Sequence, residues 1–214
     1  MKKSLFLLLL FICSTMTARD LNCMTLNGLT LGSTITIDTV IDTFGKPDKI
    51  DLTINRGRTT YDPSLISHFS FGMDDFNEFL LLAEPRDMFE YLIRFWYGES
   101  FVEIYTPVIP GRKRCFEDRY VMWSFYATDA NWILSDGSVK VVPGNSFRQL
   151  KKISNEGKVS LMAGNIYYFF PLGPEDRNVW IATSDGKAIN SLMFTAYLDN
   201  SGDSLPDDIK AITL

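Results

Sequence analysis

A chain of 214 residues with 21 basic and 26 acidic side chains, a net charge of −5 and ordinary apolar content has the length of one or two small domains. Its acidity gives it no electrostatic reason to collect on nucleic acid or anionic lipid, both of which call for a basic face. With one histidine and three scattered cysteines there is no spaced ligand set for zinc, and any Ser-His or Cys-His nucleophile must use His68.

Lys2 and Lys3, the apolar run over 5–12, and then Ser14, Thr15, Thr17 and Ala18 read as a secretory signal peptide over residues 1–18. The run is too short to span a bilayer, which takes about 20 apolar residues. Cleavage is expected after Ala18, with Thr17 the alternative. In a rival reading a lipoprotein peptidase cuts before Cys13 and a lipid is attached there, although Ile12 stands where such sites carry a small residue. Only then is a membrane among the partners. Either way the protein is expected to be exported, to the periplasm of a bacterial envelope or beyond. Loss of Lys2 and Lys3 lowers the net charge from −5 to about −7, so a charged partner is expected to be basic. Cys23 and Cys115 then remain in a disulfide-permissive compartment. A bridge between them would contribute about 4 to 5 kcal/mol in the chain-entropy model; two buried thiols are the alternative.

A first α+β module is expected over 19–106. Leu29 and Leu31 lead into Gly32, Ser33 and Thr34, after which Ile37, Val40, Ile41 and Phe44 fall at i, i+3, i+4 and i+7, one stripe of a helix. Ile35, Ile37 and Ile41 also fit a strand period, but Gly45 suits the position past a helix end and Pro47 forbids continuation. Strands are predicted over 68–71, 76–83, 91–97 and 101–105, with Gly98-Glu99 turning the third into the fourth. A connecting segment over 107–132 carries one more strand, 120–127, and the basic cluster Arg112, Lys113 and Arg114, which reads as a solvated loop tip or a protein contact. A second module is expected over 133–214. Val139, Val141 and Val142 lead into Gly144, Asn145 and Ser146, then a helix with Phe147, Leu150 and Ile153 on one face and Arg148, Lys151 and Lys152 on the other. Strands over 165–170, 179–182 and 189–198 follow, the last pair joined at Asp185-Gly186-Lys187. The predicted fold is α+β in two similar halves, each a short helix packed on a mostly antiparallel sheet.

The run from Gly28 to Thr34, the helix after it, and Phe44-Gly45-Lys46-Pro47 resemble the start of the SmpA/OmlA (BamE-like) module. Tandem copies followed by antiparallel strands resemble the β-lactamase-inhibitory-protein architecture. The second half departs from the pattern, with Pro143 before the glycine and no Gly-x-Pro exit after Ile153. The resemblance implies an exported, non-enzymatic module whose sheet face or loops grip another protein, as an inhibitor, immunity factor or envelope-assembly accessory.

The alternative function is a small hydrolase using a carboxylate pair, such as a carbohydrate-active enzyme. Its candidate acids, Asp74, Asp75, Glu78, Glu99 and Glu103, read more economically as solvated faces and turns. His68 heads an apolar strand and reads as a structural or surface residue. No cofactor is implied except calcium. Asp199, Ser201, Asp203 and Asp207 stand at positions 1, 3, 5 and 9 of a calcium-loop spacing, similar to thrombospondin type 3 and dockerin loops. Ser204 sits where that loop wants glycine and Lys210 where it wants the bidentate acid. Of the tryptophans, Trp96, Trp123, Trp132 and Trp180, most are expected in the core. Trp96 is the binding candidate, because Arg94 shares its strand face and that pair is common at interface hot spots.

Overall fold

Asn27 and Gly28 both adopt positive φ, 49° and 88°. A two-residue type I′ turn demands that combination, and here it joins β1 (Thr25–Leu26) to β2 (Leu29–Thr30). The computed structural model describes residues 24–31, 33, 35–55, 65–82, 86–87, 90–106, 113–114, 122–153, 158–162, 165–171, 178–183 and 186–195. The segment 1–18 read as a signal peptide, with Cys13, the cysteines Cys23 and Cys115, Arg112, Asp185, and the calcium-loop candidates Asp199, Ser201, Asp203 and Asp207 lie outside the described residues.

Helix α1 (Ile37–Phe44) forms where the apolar stripe places it. Thr36 caps its start by accepting from the Thr39 N–H at 3.1 Å. At its end Gly45 takes φ 84° and donates to the Ile41 carbonyl at 2.8 Å. Ile37 and Val40 are buried. The chain then enters β3 (Lys49–Asn55), a strand absent from the expected elements, although Ile50, Leu52 and Ile54 alternate cleanly with Lys49, Asp51 and Thr53. β4 (Ile66–Phe71) follows.

The strand expected over 76–83 is instead helix α2 (Met73–Leu82). Two acids in its first turn, Asp74 and Asp75, favour a helix N-terminus, and Met73, Phe76, Phe79 and Leu80 recur at helical spacing toward the core. The apolar richness of 79–82 suggested a strand, but the spacing from Met73 onward decides for the helix. Leu81 and Leu82, at its end, stay exposed.

The remaining elements are β5 (Arg86–Asp87), β6 (Glu90–Tyr97), β7 (Ser100–Thr106), β8 (Lys113–Arg114), β9 (Met122–Ala127), β10 (Leu134–Ser135) and β11 (Lys140–Val141). A 3-10 turn, Phe147–Gln149, capped by Ser146, runs into the short helix α3 (Leu150–Ile153). β12 (Lys158–Met162), β13 (Asn165–Pro171), β14 (Asn178–Thr183) and β15 (Ser191–Thr195) complete the described chain. At Gly98-Glu99 the glycine has φ 63° while Glu99 does not turn positive, as a type II′ hairpin requires, and Tyr97 stands opposite Ser100.

The fold is mixed α+β, mostly strand, with antiparallel sheets. Nine strands form one sheet in the order β12-β13-β14-β15-β9-β7-β6-β3-β4. A smaller sheet, β11-β10-β1-β2, joins two hairpins through β1 and β10, and β5 pairs with β8. Each hairpin of the small sheet precedes a helix. Each helix precedes strands of the large sheet, and the last strands of the two series, β9 and β15, pair antiparallel.

One face of the large sheet is the core. Ile50, Phe95, Val102, Phe125 and Phe194 stand in register across five strands and are fully buried, each such side chain contributing roughly 1.5–3 kcal/mol of transfer free energy. Phe76 of α2 meets Phe95 edge-on at 6.2 Å, and Phe44 of α1 stacks on buried Trp132 at 4.9 Å. Phe147 meets Tyr168 edge-on at 5.8 Å. Trp123 is also core, with its indole N–H buried and no acceptor among the described residues.

Candidate functional site

The pleat puts the next residue of each strand on the other face of the sheet. One step along from the buried row stand Asp51, Arg94, Glu103 and Ser124, paired in register from β3 to β9, with Ser70 of β4 opposite Asp51. This row is a connected polar network. Ser70 Oγ donates to Asp51 Oδ1 at 2.7 Å, and the Trp96 indole N–H donates to Oδ2 at 2.7 Å. Lys49 Nζ donates to the same Oδ2 at 3.0 Å. Burial works to raise the Asp51 pKa, but the hydrogen bonds from Ser70, Lys49 and Trp96 and the Lys49 charge outweigh it and hold the carboxyl below its ordinary value. Arg94 Nε donates to Glu103 Oε2 at 2.7 Å with Nη2 at 2.5 Å from the same oxygen, and Ser124 Oγ donates to Oε1 at 3.3 Å.

Beside the polar row runs an aromatic one. Trp96, Phe101 and Tyr126 are cross-strand neighbours, with ring centroids 5.1 Å apart in the first pair and 5.9 Å in the second. Lys49 stands at one end of the row, opposite Trp96. The register carries it on through half-buried Met193 to the backbone positions of Trp180, Phe169 and Lys158. The Arg94 guanidinium lies 4.4 Å from the Phe101 ring centre and 5.4 Å from that of Trp96, so its pairing with Glu103 and its stacking fix one geometry. On the other side of the polar row, Thr53 Oγ1 and His68 Nδ1 share a hydrogen bond at 3.0 Å. These residues, with Lys49, Asp51, Arg94 and Glu103, line a recess of about 440 Å³.

The structure thus brings the expected pair Arg94 and Trp96 together on one sheet face, where both are half-buried. His68 is a strand residue there, exposed and hydrogen-bonded. Glu103 belongs to the network, whereas Asp74, Asp75 and Glu78 lie on α2 and Glu99 in the β6–β7 turn, all exposed. Lys113 and Arg114 form β8, paired with β5. Trp123 and Trp132 are buried and Trp96 is half-buried; of Trp180 only the strand position is described. Asp51 and Lys49, central to the site, were not among the expected residues. Their signal is the alternation of Ile50, Leu52 and Ile54, which makes β3 a strand and sends its charged residues to the open face.

No group of three metal-binding side chains occurs among the described residues, and no described helix is long and apolar enough to cross a membrane. No protein-family model, no curated protein and no solved structure matches the chain.

Proposed function

We propose that this chain is an exported protein-binding module, of the inhibitor, immunity or envelope-assembly accessory type, that holds its partner against the open face of its nine-stranded sheet. The observation that carries this reading is Arg94 packed against Trp96 and Phe101 and anchored by Glu103 on that face. Arg and aromatic side chains, held rigid and partly exposed, are the groups that dominate binding energy at protein interfaces. The signal-peptide pattern supports export. The repeated order of hairpin, helix and antiparallel strands, closing at β1–β10 and β9–β15, supports two SmpA/OmlA-like modules in tandem.

The carboxylate-hydrolase reading is less well served by the same residues. A general acid at neutral pH needs a raised pKa, whereas Asp51 is held low by its donors and Glu103 is tied to Arg94 and Ser124. Affinity purification of the tagged full chain from an envelope fraction tests the proposal, run beside Trp96→Ala and Arg94→Ala variants whose fold is verified by circular dichroism. Wild type should recover a specific protein that both variants lose. Recovery of no specific protein, or equal recovery by the variants, refutes it.

A further inference from the structure

The recess beside Trp96 holds more hydrogen-bond donors than its own acceptors consume. Glu103 takes Arg94 at Nε and Nη2, which leaves both Nη1 hydrogens of the guanidinium outside that pair. Lys49, with three ammonium hydrogens and a side chain 53% exposed, meets the Asp51 carboxylate and lies 6.0 Å over the Trp96 ring. All four carboxylate oxygens, by contrast, already receive at least one donor. Asp51 receives Ser70 on Oδ1 and both Trp96 and Lys49 on Oδ2, and Glu103 receives Ser124 on Oε1 and Arg94 on Oε2.

We infer that this recess seats a carboxylate of the partner, an Asp or Glu side chain flanked by an apolar residue that lies over Trp96 and Phe101. The inference rests on the open face being the docking surface. Charged N–H donors to spare, beside carboxylate oxygens that are each already engaged, favour an incoming acceptor, and a carboxylate meeting Arg and Lys makes the stronger, charge-assisted kind of hydrogen bond. Arg94 is already held by Glu103 and by two rings, so engaging a further anion costs it little side-chain freedom. The existing charges cancel as Lys49 with Asp51 and Arg94 with Glu103, so the incoming acid meets a locally neutral wall although the chain as a whole is acidic. A partner that is basic overall answers the net charge at long range, while one of its acids is fixed at short range. The recess volume of about 440 Å³ exceeds what one carboxylate fills, and the Trp96 and Phe101 rings against which Arg94 packs are the surface that the acid's apolar neighbour covers.

The test is a titration of the ¹⁵N-labelled full chain, following the Arg94 Nε–H and Trp96 Nε1–H signals, with acetyl-Phe-Glu-amide, acetyl-Phe-Gln-amide and sodium acetate as probes. The Glu peptide should move both signals saturably. The Gln peptide should bind about tenfold more weakly, and the Arg94→Lys variant, which keeps the charge but loses the planar fork, should lose that discrimination. Equal binding of the two peptides, or no movement with either, overturns the inference. Acetate acting as strongly as the Glu peptide overturns the partner side chain as occupant in favour of a free small carboxylate. A chain that captures a protein through Trp96 but does not distinguish Glu from Gln keeps the docking reading and loses this one. A chain that prefers the Glu peptide yet captures no protein loses the docking reading and the partner with it.

Discussion

Two rows of side chains cross the same strands one residue apart and do different work. Ile50, Phe95, Val102 and Phe125 form the covered row; Asp51, Arg94, Glu103 and Ser124 form the open one. Backbone pairing is common to both, so the difference lies in what each row exchanges with water. The covered row removes apolar surface, which is where net stability comes from. The open row replaces hydrogen bonds to water with hydrogen bonds to itself, a nearly even exchange. Its product is instead a fixed arrangement of charge and aromatic surface. Stability and recognition are therefore separable here, a step of one residue dividing them.

The largest expected effect comes from truncating the covered row. Phe95 is fully buried, packed edge-on by Phe76, and Phe95→Ala should cost about 3–5 kcal/mol in urea unfolding, through lost transfer energy plus the cavity left behind. A loss under about 1 kcal/mol would mean that this face is not the core. A smaller effect should come from the turn that carries both rows. Gly98 has φ 63° and open space around a built Cβ, so Gly98→Ala meets no clash and costs only the backbone strain, about 1–2 kcal/mol. Because β6 and β7 bear both rows, that variant should weaken unfolding stability and partner capture together, unlike any substitution confined to one face.

How far these rows were legible in the sequence depends on whether their signals are local. Helix α1 was readable end to end because its stripe, Gly45 and Pro47 all lie within a dozen residues and agree. The β6–β7 hairpin was readable for the same reason, through alternation on both sides of Gly98-Glu99. β3 was missed although its alternation is as clear, because it begins directly after the Gly45-Lys46-Pro47 exit, where turn residues mask the start of a strand. α2 was misread because the apolar run 79–82 outweighed the three- and four-residue spacing from Met73. Asn27-Gly28 passed unremarked as a turn, although both residues take the positive φ that this dipeptide favours. Arg94 and Trp96 could be placed on one face of one strand. Their partners Asp51, Glu103 and Ser70 come from other strands, and strand register is set by tertiary pairing that no single segment encodes.

On the open row, pH sharpens the contrast. Asp51 has a folded pKa below the unfolded value of about 3.9, so the unfolded chain takes up the proton first as pH falls. Its contribution to stability is present above the unfolded pKa and is lost as pH falls through the folded one. Wild type should therefore exceed Asp51→Asn in stability at neutral pH, by less than about 1 kcal/mol because the side chain is 32% exposed. The gap should close below about pH 4. A gap unchanged between neutral pH and strong acid would show that the carboxylate's donors do not favour its charged form.

The smallest expected effect on stability belongs to the residue with the largest expected effect on binding. Arg94→Lys keeps a cation opposite Glu103 and an alkyl stem near Phe101, so most of this partly exposed ion pair is retained. Thermal unfolding should shift by no more than about 0.5 kcal/mol equivalent. What the lysine cannot reproduce is the planar guanidinium, which serves Glu103 through Nε and Nη2 while presenting Nη1 and packing against two rings. Partner capture should fall sharply while the protein unfolds as before. If stability falls by as much as for Phe95→Ala, the open row is a second core and not a docking surface. If neither property changes, Arg94 is incidental to both faces, and the division of labour drawn between them does not hold at its central residue.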